Sequence, residues 1–440
     1  MAYANDANWW TDEAETNNHA DFMPLVLSGD ALSYSYAREF ARVYGTTTTV
    51  LATADIKYTS KSRFTRYHVI DDLDKEDVMM SVLRDIAADT PIGAKPWLLL
   101  AGASDWNVRT LSRHKEELEK LGFVVPYIDF PLLDDVTQKD RFYAMCARLG
   151  VPFPKTVVIP FSPSYEFPDM PARCNDMTCL ESDNVDAKAF TYPLIAKPSN
   201  SADWHYARIN DKHKVYSIEN PQQLDTLIDA VKESGYSHAL LLQEMLSTSD
   251  DSLRTITTFS DEGEVAVGVL GHVAIQDRSS TGIGNPLAIY GDGHNHDGLL
   301  EMAAKLVSEM HYDGYANFDV MYGKDGKPRF LEVNTRPGRN SYYVSLAGCP
   351  FVKPIVEHNV HHRATRDSLT GFEACADKRF LFTMVPRHVA TKEVHGLLRE
   401  EVLKMYANDK WANPLMNDDD CLSQRFWGYV NFEHMKTKFA

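Results

Sequence analysis

The stretch that decides the fold is FLEVNTRPGRN, residues 330–340, in which Glu332, Asn334 and Arg336 occupy alternate positions. In an extended strand, residues i, i+2 and i+4 project to the same face of the sheet. A carboxylate, an amide and a guanidinium therefore share one face, while Val333 faces the other side. Such a polar face is poorly suited to burial in a core and well suited to holding an ion.

The residues before this strand predict a β-hairpin. In YANFDVMYGKDGKPRFLEVN, residues 315–334, two apolar runs flank Asp325-Gly326, and this dipeptide between apolar runs is a strong hairpin signal. With those two residues as the turn, Asp319 pairs directly with Glu332. Like charges in that position repel each other, whereas Mg²⁺ prefers carboxylates and phosphate oxygens as ligands. The pattern therefore favours a metal site to which Asn334 adds a carbonyl oxygen, and a solvated hairpin with scattered charges is the alternative.

The bulk composition predicts a multidomain cytoplasmic protein. The chain has 440 residues and a net charge of -17, which favours two or three domains and argues against nucleic-acid binding but not against small anionic ligands. Six scattered cysteines do not form a disulfide framework. No apolar run reaches membrane-spanning length. The polar first twenty residues do not resemble a signal peptide, and residues 1–21 are predicted to be a flexible arm.

Residues 22–132 alternate short apolar runs with amphipathic stretches, as in MPLVLSG and PWLLLAG. This alternation predicts an N-terminal parallel sheet with crossover helices. In LSGDALSYS, residues 27–35, a strand leads into a helix. That loop could receive an anion at the helix start, or it is an ordinary connection in which Asp30 or Ser33 caps the helix.

A pair of cysteines and a group of histidines elsewhere in the chain lack the spacing that is typical of metal ligands. Cys174 and Cys179 lie in a stretch rich in Pro, Ser and Asp, residues 161–190, without a second Cys or His pair at zinc-ligand spacing. They are predicted to be free thiols. The remaining set is histidine-rich and is predicted to be exposed rather than metal-binding: His294, His296, His358, His361 and His362.

An ordered series of charged residues resembles the ATP-grasp ligases. The series runs from Lys139 and Lys197 through LLLQEML to the D-x(12)-E-x-N-x-R run that begins at Asp319. The resemblance covers about residues 22–350, and the chain lacks the G-x-x-x-x-G-K-[ST] phosphate loop. The resemblance implies an α/β and α+β fold. The implied parts are a pre-ATP-grasp, Rossmann-like domain (22–132), ATP-grasp subdomain 1 (133–245, with an insertion at about 161–190), subdomain 2 with the metal site (246–375) and a C-terminal extension (376–440).

The resemblance also implies roles for individual residues. Lys139 and Lys197 would contact the ATP phosphates, and Arg336 would stabilise the transferring phosphoryl group. The main chain of Glu244 and Leu246 would meet the adenine. The other implied positions fall into two groups: Gln243, or Asp250 and Asp251, for the ribose, and Asp319, Glu332 and Asn334 for Mg²⁺, with two ions expected. The chain departs from the family in the loop over the phosphates, since PSNSADWHYA contains no glycine.

Within the family, LLQEMLSTSDDSLR, GYANFDVMY and LEVNTRPGRNSYYVSLAG look like the D-aspartate ligases. This resemblance implies activation of the β-carboxylate of D-aspartate as an acyl phosphate, followed by attack of a lysine side-chain amine of a peptidoglycan precursor, either free or lipid-linked. Because a guanidinium suits a carboxylate, Arg254 and Arg339 are assigned to the amino-acid substrate, with salt bridges as the alternative. The alternative functions are a ligase making a dipeptide or another small amide, and an inactive nucleotide-binding module.

Overall fold

The first sheet is parallel, as the sequence predicts. The computed structural model describes residues 20–247, 250–279, 284–363 and 378–439, so the predicted arm lies almost entirely outside the described residues. The five strands have the order β3-β2-β1-β4-β5. The strands are β1 (Met23–Leu27), β2 (Thr48–Ala52), β3 (Thr65–Val69), β4 (Trp97–Ala101) and β5 (Phe123–Val124). The helices are α1 (Ala31–Tyr44), α2 (Lys57–Ser60), α3 (Glu76–Asp89), α4 (Asp105–Arg113), α5 (Lys115–Lys120) and α6 (Phe130–Thr137).

The loop after β1 is fixed by a helix cap. Asp30 Oδ1 accepts from the backbone N–H of Ser33 at 3.0 Å, and Oδ2 accepts from that of Ala103 at 2.8 Å. Both carboxylate oxygens are thus engaged at the start of α1. The helix ends at Gly45, whose φ of 65° suits glycine. Of the two sequence interpretations of this loop, the one with Asp30 as the helix cap is confirmed.

The second sheet is mixed, with the order β7-β6-β10-β8-β9. Its strands are β6 (Thr156–Pro160), β7 (Met177–Cys179), β8 (Leu194–Pro198), β9 (Tyr216–Ile218) and β10 (Ala239–Glu244). Its helices are α7 (Lys139–Leu149), α8 (Ser201–Trp204) and α9 (Pro221–Glu233). α7 buries Phe142, Met145 and Cys146 on one face. Residues 161–190 include β7, which pairs in parallel with β6.

The third sheet has seven strands in the order β15-β14-β11-β12-β13-β16-β17. Its strands are β11 (Leu253–Asp261), β12 (Glu264–Gln276), β13 (Pro286–Gly291), β14 (Gly314–Tyr322), β15 (Pro328–Asn334), β16 (Phe380–Thr383) and β17 (Trp411–Ala412). The associated helices are α10 (Leu299–Glu309), α11 (Tyr342–Leu346), α12 (Val352–Asn359), α13 (Arg387–Glu393), α14 (Gly396–Ala407) and α15 (Leu422–His434). The C-terminal region thus contributes two strands to the sheet that carries FLEVN.

The hairpin of β14 and β15 has a different turn from the predicted one. Gly323 donates to the carbonyl of Lys327 at 2.9 Å, and Gly326 has a φ of 71°, so the turn contains three residues rather than two. This change would shift the register by one residue, but a bulge between Asp319 and Val320 shifts it back. The predicted two-residue turn is wrong, whereas the predicted pairing of Asp319 with Glu332 is confirmed.

Three hydrophobic clusters join these sheets. One lies between α1 and the third sheet with its helices, a second joins the other side of the first sheet to α7, α10 and the hairpin, and a third packs α9 on the second sheet. The C-terminal region is also bonded to the elements around the first sheet: Asp420 accepts from Tyr34 Oη on α1 at 3.0 Å and from the Arg63 backbone N–H before β3 at 2.9 Å. Among the helices described, none combines the length and apolar character needed to cross a membrane.

Candidate functional site

One face of the β14–β15 hairpin is polar. Asn317 pairs with Asn334, and Asp319 pairs with Glu332. Directly paired residues on antiparallel strands share a face, so these four side chains lie together. On the neighbouring strand, Thr255 is the partner of Asp319 and Thr257 is the partner of Asn317, and both hydroxyls donate to Asn317 Oδ1, at 3.2 and 2.7 Å. The polar face therefore extends over three strands.

Lys139 connects the start of α7 to this face. Its Nζ lies 3.3 Å from Glu332 Oε2 and donates to Ser201 Oγ at 2.9 Å. Its side chain is only 9% exposed, whereas that of Glu332 is 38% exposed. The Lys139 backbone N–H donates to the carbonyl of Ser199 at 3.1 Å. The glycine-free loop that contains α8 is thus anchored next to the carboxylates.

Lys197, at the end of β8, approaches the same face from the second sheet. Its Nζ donates to Tyr143 Oη at 3.0 Å, and Tyr143 Oη donates to the carbonyl of Leu331 on β15 at 2.8 Å. The Tyr143 ring stacks on Phe153 with the ring centroids 5.3 Å apart. Tyr143 therefore positions Lys197 relative to β15.

The charges on this face strongly affect one another. Burial and the adjacent Glu332 raise the pKa of Asp319 to about 8. Burial alone would raise the pKa of Glu332 as well, but Lys139 and Lys197 hold it below its ordinary value. Burial lowers the pKa of Lys197 to about 8, even though Glu332 and Asp319 favour its charged form. Two carboxylates thus share a site where only one ionises readily.

This donor set fits a divalent cation. The two facing carboxylates and the amide oxygen of Asn334 are hard oxygen ligands, the type that Mg²⁺ prefers. The repulsion that raises the pKa of Asp319 is the interaction that a bound cation would relieve. Asp319, Glu332 and Asn334 are therefore the residues that could hold Mg²⁺, with Lys139 and Lys197 beside them for anionic groups.

Arg336 follows the hairpin and bridges to the first sheet. Its Nε lies 2.7 Å from Asp105 Oδ1 at the start of α4, and its Nη1 donates to the Pro337 carbonyl at 3.1 Å. Burial alone would lower the pKa of Arg336, but Asp105 keeps it raised. The positive charge of Arg336 also favours the ionised form of Asp319, so the structure brings this predicted residue to the site.

Arg254 is not brought to the site. Its strand partner is Val320, next to Asp319 in sequence, and neighbouring residues of a strand face opposite sides of the sheet. The guanidinium lies over the Tyr322 ring, 4.9 Å from its centroid, and Nη1 donates to the carbonyls of Asp251 and Leu253. The structure therefore places Arg254 on the face away from the carboxylates.

Arg339 lies on the wall of a cavity near the site. The cavity has a volume of about 410 Å³ and also contacts Asp30 and Asn340. Arg339 is exposed, and within residues 20–247, 250–279, 284–363 and 378–439 no ion pair of its guanidinium is found. Its charge is thus available to a ligand in the cavity.

The residues predicted for the nucleoside are near the end of β10. Gln243 is buried, and its Nε2 donates to Thr156 Oγ1 at 2.7 Å. Glu244 is exposed, and Leu246 is buried. The carboxylate of Asp251 lies 2.8 Å from His272 Nε2. The side chain of Asp250 lies outside the part of the chain that the structure describes.

Several residues of this site were not predicted from the sequence. Asn317 could have been found, because it precedes Asp319 by two positions and so shares its face. Thr255 and Thr257 alternate in the same way, but their position beside β14 requires knowledge of the strand order. Tyr143 and Ser201 carry no local signal, since each reaches the site only through tertiary packing.

The histidines differ in part from the prediction. His294, His296 and His362 are exposed, whereas His358 and His361 are half-buried. His358 forms a group with Asp261 and Asp313 whose possible ligand atoms lie within 4.8 Å of one another. His361 Nδ1 lies 3.3 Å from Glu357 Oε1. Cys174 and Cys179 are free thiols, as predicted.

Known proteins resemble the chain in sequence and in fold. No protein-family model matches the chain. Over 390 residues the chain is 25% identical to the D-aspartate ligase of Enterococcus faecium (strain Aus0004). The aligned region covers 87% of this chain and 88% of that protein.

Two solved structures resemble the fold. One is the L-amino acid ligase from Bacillus licheniformis, with a TM-score of 0.52 and 16% identity, covering 78% of this chain and 75% of that chain. The other is the biotin carboxylase domain of Hydrogenobacter thermophilus 2-oxoglutarate carboxylase in complex with MgADP, with a TM-score of 0.55 and 15% identity. The match covers 79% of this chain and 71% of that chain. Together with the D-x(12)-E-x-N-x-R face, these likenesses show that the chain has the fold of the ATP-grasp proteins, and the sequence similarity to D-aspartate ligase supports an ADP-forming ligase that makes carbon–nitrogen bonds.

Proposed function

We propose that the protein joins the β-carboxylate of D-aspartate to the side-chain amine of a lysine in a peptidoglycan precursor, with ATP as the phosphoryl donor. The observation that carries the proposal is the pairing of Asp319 with Glu332 beside Lys139. The choice of substrates is supported by similarity to a D-aspartate ligase along most of both chains.

The chemistry requires positive charge where two anions react. A carboxylate becomes reactive towards an amine once ATP converts it into an acyl phosphate, and Mg²⁺, bound as two ions in this proposal, would neutralise the transferring phosphoryl group. Asp319, Glu332 and Asn334 would hold the metal. Lys139 and Lys197 supply further positive charge to the phosphates, and no covalent protein nucleophile is needed.

Arg336 is proposed to stabilise the transferring phosphoryl group. Its guanidinium is held by Asp105 in a buried position, so its geometry is set before the substrates arrive. Groups held in place in this way stabilise developing charge without reorganisation during the reaction. Arg339, the guanidinium on the cavity wall, is proposed to bind a carboxylate of the amino acid. Arg254 faces away from the carboxylates, so no contact with the reacting groups is proposed for it.

The nucleoside is proposed to lie at the end of β10. The main chain of Glu244 and Leu246 would contact the adenine. Asp251 is preferred to Gln243 for the ribose, because the Gln243 amide is buried against Thr156. The carboxylate of Asp251 pairs with His272 but is 55% exposed, so a sugar hydroxyl can approach it, whereas Gln243 is only 4% exposed.

The proposal is tested by measuring ADP and phosphate release with Mg²⁺, ATP and a panel of amino acids that includes both enantiomers of aspartate. The acceptors are a lysine-containing stem peptide, the same peptide on its lipid carrier, and free amino acids. We expect turnover that requires D-aspartate and a lysine amine, and a product containing one new amide. Absence of turnover with every acidic amino acid would remove the D-aspartate assignment, and a dipeptide product from free amino acids would replace the acceptor.

A further inference from the structure

The 410 Å³ cavity lies where the strand order of the first sheet reverses. Its wall includes Ser28, Gly29 and Asp30 after β1, and Ser104 and Asn107 after β4. β1 and β4 are neighbours at the switch point of the order β3-β2-β1-β4-β5. Ligands of open α/β sheets bind in the crevice at the carboxyl ends of the strands at such a point. The volume is also within the range of small-molecule pockets, about 300–1,000 Å³.

The cavity is next to the reacting centre. Ser104 lines it, and the following residue, Asp105, forms the ion pair with Arg336. On the other side, Arg339 and Asn340 line it three and four residues after Arg336. A small substrate in the cavity could therefore extend one end towards Arg336.

Three polar groups on the wall, two amide atoms and one guanidinium, lack a hydrogen-bond or ion-pair partner among the described residues. Asn340 is 6% exposed, and its Nδ2 has no hydrogen-bond partner among the described residues; the same holds for the buried Oδ1 of Asn431. Arg339 is exposed there with no ion pair in the described ranges. A buried polar atom without a partner is unfavourable, so these groups point to a ligand that supplies both an acceptor and a donor. A carboxylate suits Arg339 and Asn340, and an ammonium suits the carbonyl oxygen of Asn431.

The outer wall comes from the C-terminal region. Asn431 on α15, together with Met435 and Lys438 in the turn of residues 435–439, lines the cavity. Lys438 forms an ion pair with the buried Asp277, which also lines it. Because Asp420 is hydrogen-bonded to α1 and to the segment before β3, this wall is held next to the first sheet.

We propose that this cavity binds the amino and carboxylate groups of the amino-acid donor, and that Asn431 and Met435 on its outer wall determine which donor fits. Arg339 and Asn340 bind the carboxylate, Asn431 accepts from the ammonium, and Met435 limits the space beside them. This inference rests on the proposed function for the identity of the donor, but the pocket can be tested by binding alone.

The test uses the full-length chain with Met435→Trp, which reduces the volume of the cavity, and Asn431→Leu, which removes the amide. Lys436→Ala is the matched control, because Lys436 is exposed and pairs with Glu433 at 2.9 Å. We expect both cavity variants to raise the KM for the amino acid by about tenfold or more, the loss that one good polar contact or a steric block causes. The KM for ATP and the thermal midpoint should stay close to those of the wild type.

Calorimetric titration of D- and L-aspartate and glutamate into the unliganded protein separates this proposal from the proposed function. If wild type and Lys436→Ala bind one of these amino acids and the cavity variants bind it at least about tenfold more weakly, the pocket assignment holds even without peptide-ligase turnover. An unchanged affinity and KM in both cavity variants, or no amino-acid binding by the wild type, would overturn it. Asn431→Asp is a further test variant. Its negative charge should retain the binding of the ammonium, whereas Asn431→Leu should lose it.

Discussion

The two faces of the β14–β15 hairpin differ completely. Residues alternate between the faces along β14, and on β15 the bulge opposite Asp319 and Val320 places Phe330 and Glu332 on opposite faces although they are two positions apart. One face carries Asp319 and Glu332 beside Lys139, with charges that only partly satisfy one another. The other carries Phe318 and Phe330, which are fully buried and lie edge to face with their centroids 6.0 Å apart. In this hairpin, the face to which a side chain points decides whether it belongs to the polar site or to the hydrophobic core. Substitutions on the polar face should therefore reduce activity, and substitutions on the apolar face should reduce stability.

The largest expected effect is on the polar face. Glu332→Gln keeps the shape of the side chain but removes a charge that faces Lys139 and the proposed metal. We expect kcat to fall by about 10²–10³-fold, the usual loss when one group that stabilises the reacting charge is removed. The thermal midpoint without ligands should not fall. Steady-state ADP release and thermal unfolding of the same preparation measure the two properties, and unchanged turnover would rule out a role for Glu332 in the site.

The opposite pattern is expected two residues earlier in the chain. Phe330→Ala removes a fully buried ring and should lower the free energy of unfolding by about 3–5 kcal/mol. Turnover per folded molecule should change much less than in Glu332→Gln, since the ring does not face the site. Denaturant titration combined with an active-site count distinguishes the two effects. Full stability with lost activity would break the separation of the two faces.

Asp319 should make stability depend on pH. In the folded protein without ligands its pKa is about 8 rather than 3.8, so between about pH 4 and about pH 8 the folded state binds more protons than the unfolded state at this group. The stabilisation from the protonated carboxyl is therefore lost as pH rises through this window. Asp319→Asn cannot ionise, and the fall in the free energy of unfolding from acidic to mildly alkaline pH should be smaller than in the wild type.

Urea titrations at several pH values measure this difference. As a second readout, Mg²⁺ should raise the midpoint of the wild type near pH 8 but not that of Asp319→Asn, because ligand that binds only the folded state stabilises it. Parallel pH profiles for the two proteins would contradict the expectation.

The smallest effect is expected for Arg254, which lies on the same face of the sheet as Phe330. Arg254→Met keeps most of the packing over the Tyr322 ring and removes the bonds to main-chain carbonyls together with the cation–π attraction to the ring. We expect kcat and both KM values close to those of the wild type. Arg336→Met is the matched variant on the site side, and it should reduce kcat strongly. Equal losses in the two variants would show that Arg254 reaches the reacting groups in a conformation different from the present one.

The sequence allowed the polar face to be predicted because strand alternation is a local rule. Glu332, Asn334 and Arg336 needed only their spacing, and the parallel first sheet needed only its apolar runs. The pairing of Asp319 with Glu332 was predicted from an incorrect turn, and it is correct because the bulge cancels the extra turn residue. A bulge depends on the packing around the strand, which no local pattern reports.

The remaining features depend on contacts between distant parts of the chain. Tyr143 reaches the site because α7 packs on β15, and the direction of Arg254 follows from the register of β11 with β14. β16 has only four residues, Phe380–Thr383, too few for a periodic signal of its own. The C-terminal wall of the cavity could not be foreseen for the same reason: Asn431 and Met435 meet Arg339 only in the folded chain.

The bond from Asp420 back to Tyr34 and Arg63 has a consequence for the order of events during synthesis. The first sheet and the hairpin have both left the ribosome before residues 420–438 are translated, and domains generally begin to fold as they emerge. A nascent chain could therefore form the carboxylate pair while the cavity beside it still lacked its outer wall. Completion of the cavity wall would then follow the formation of the carboxylate pair.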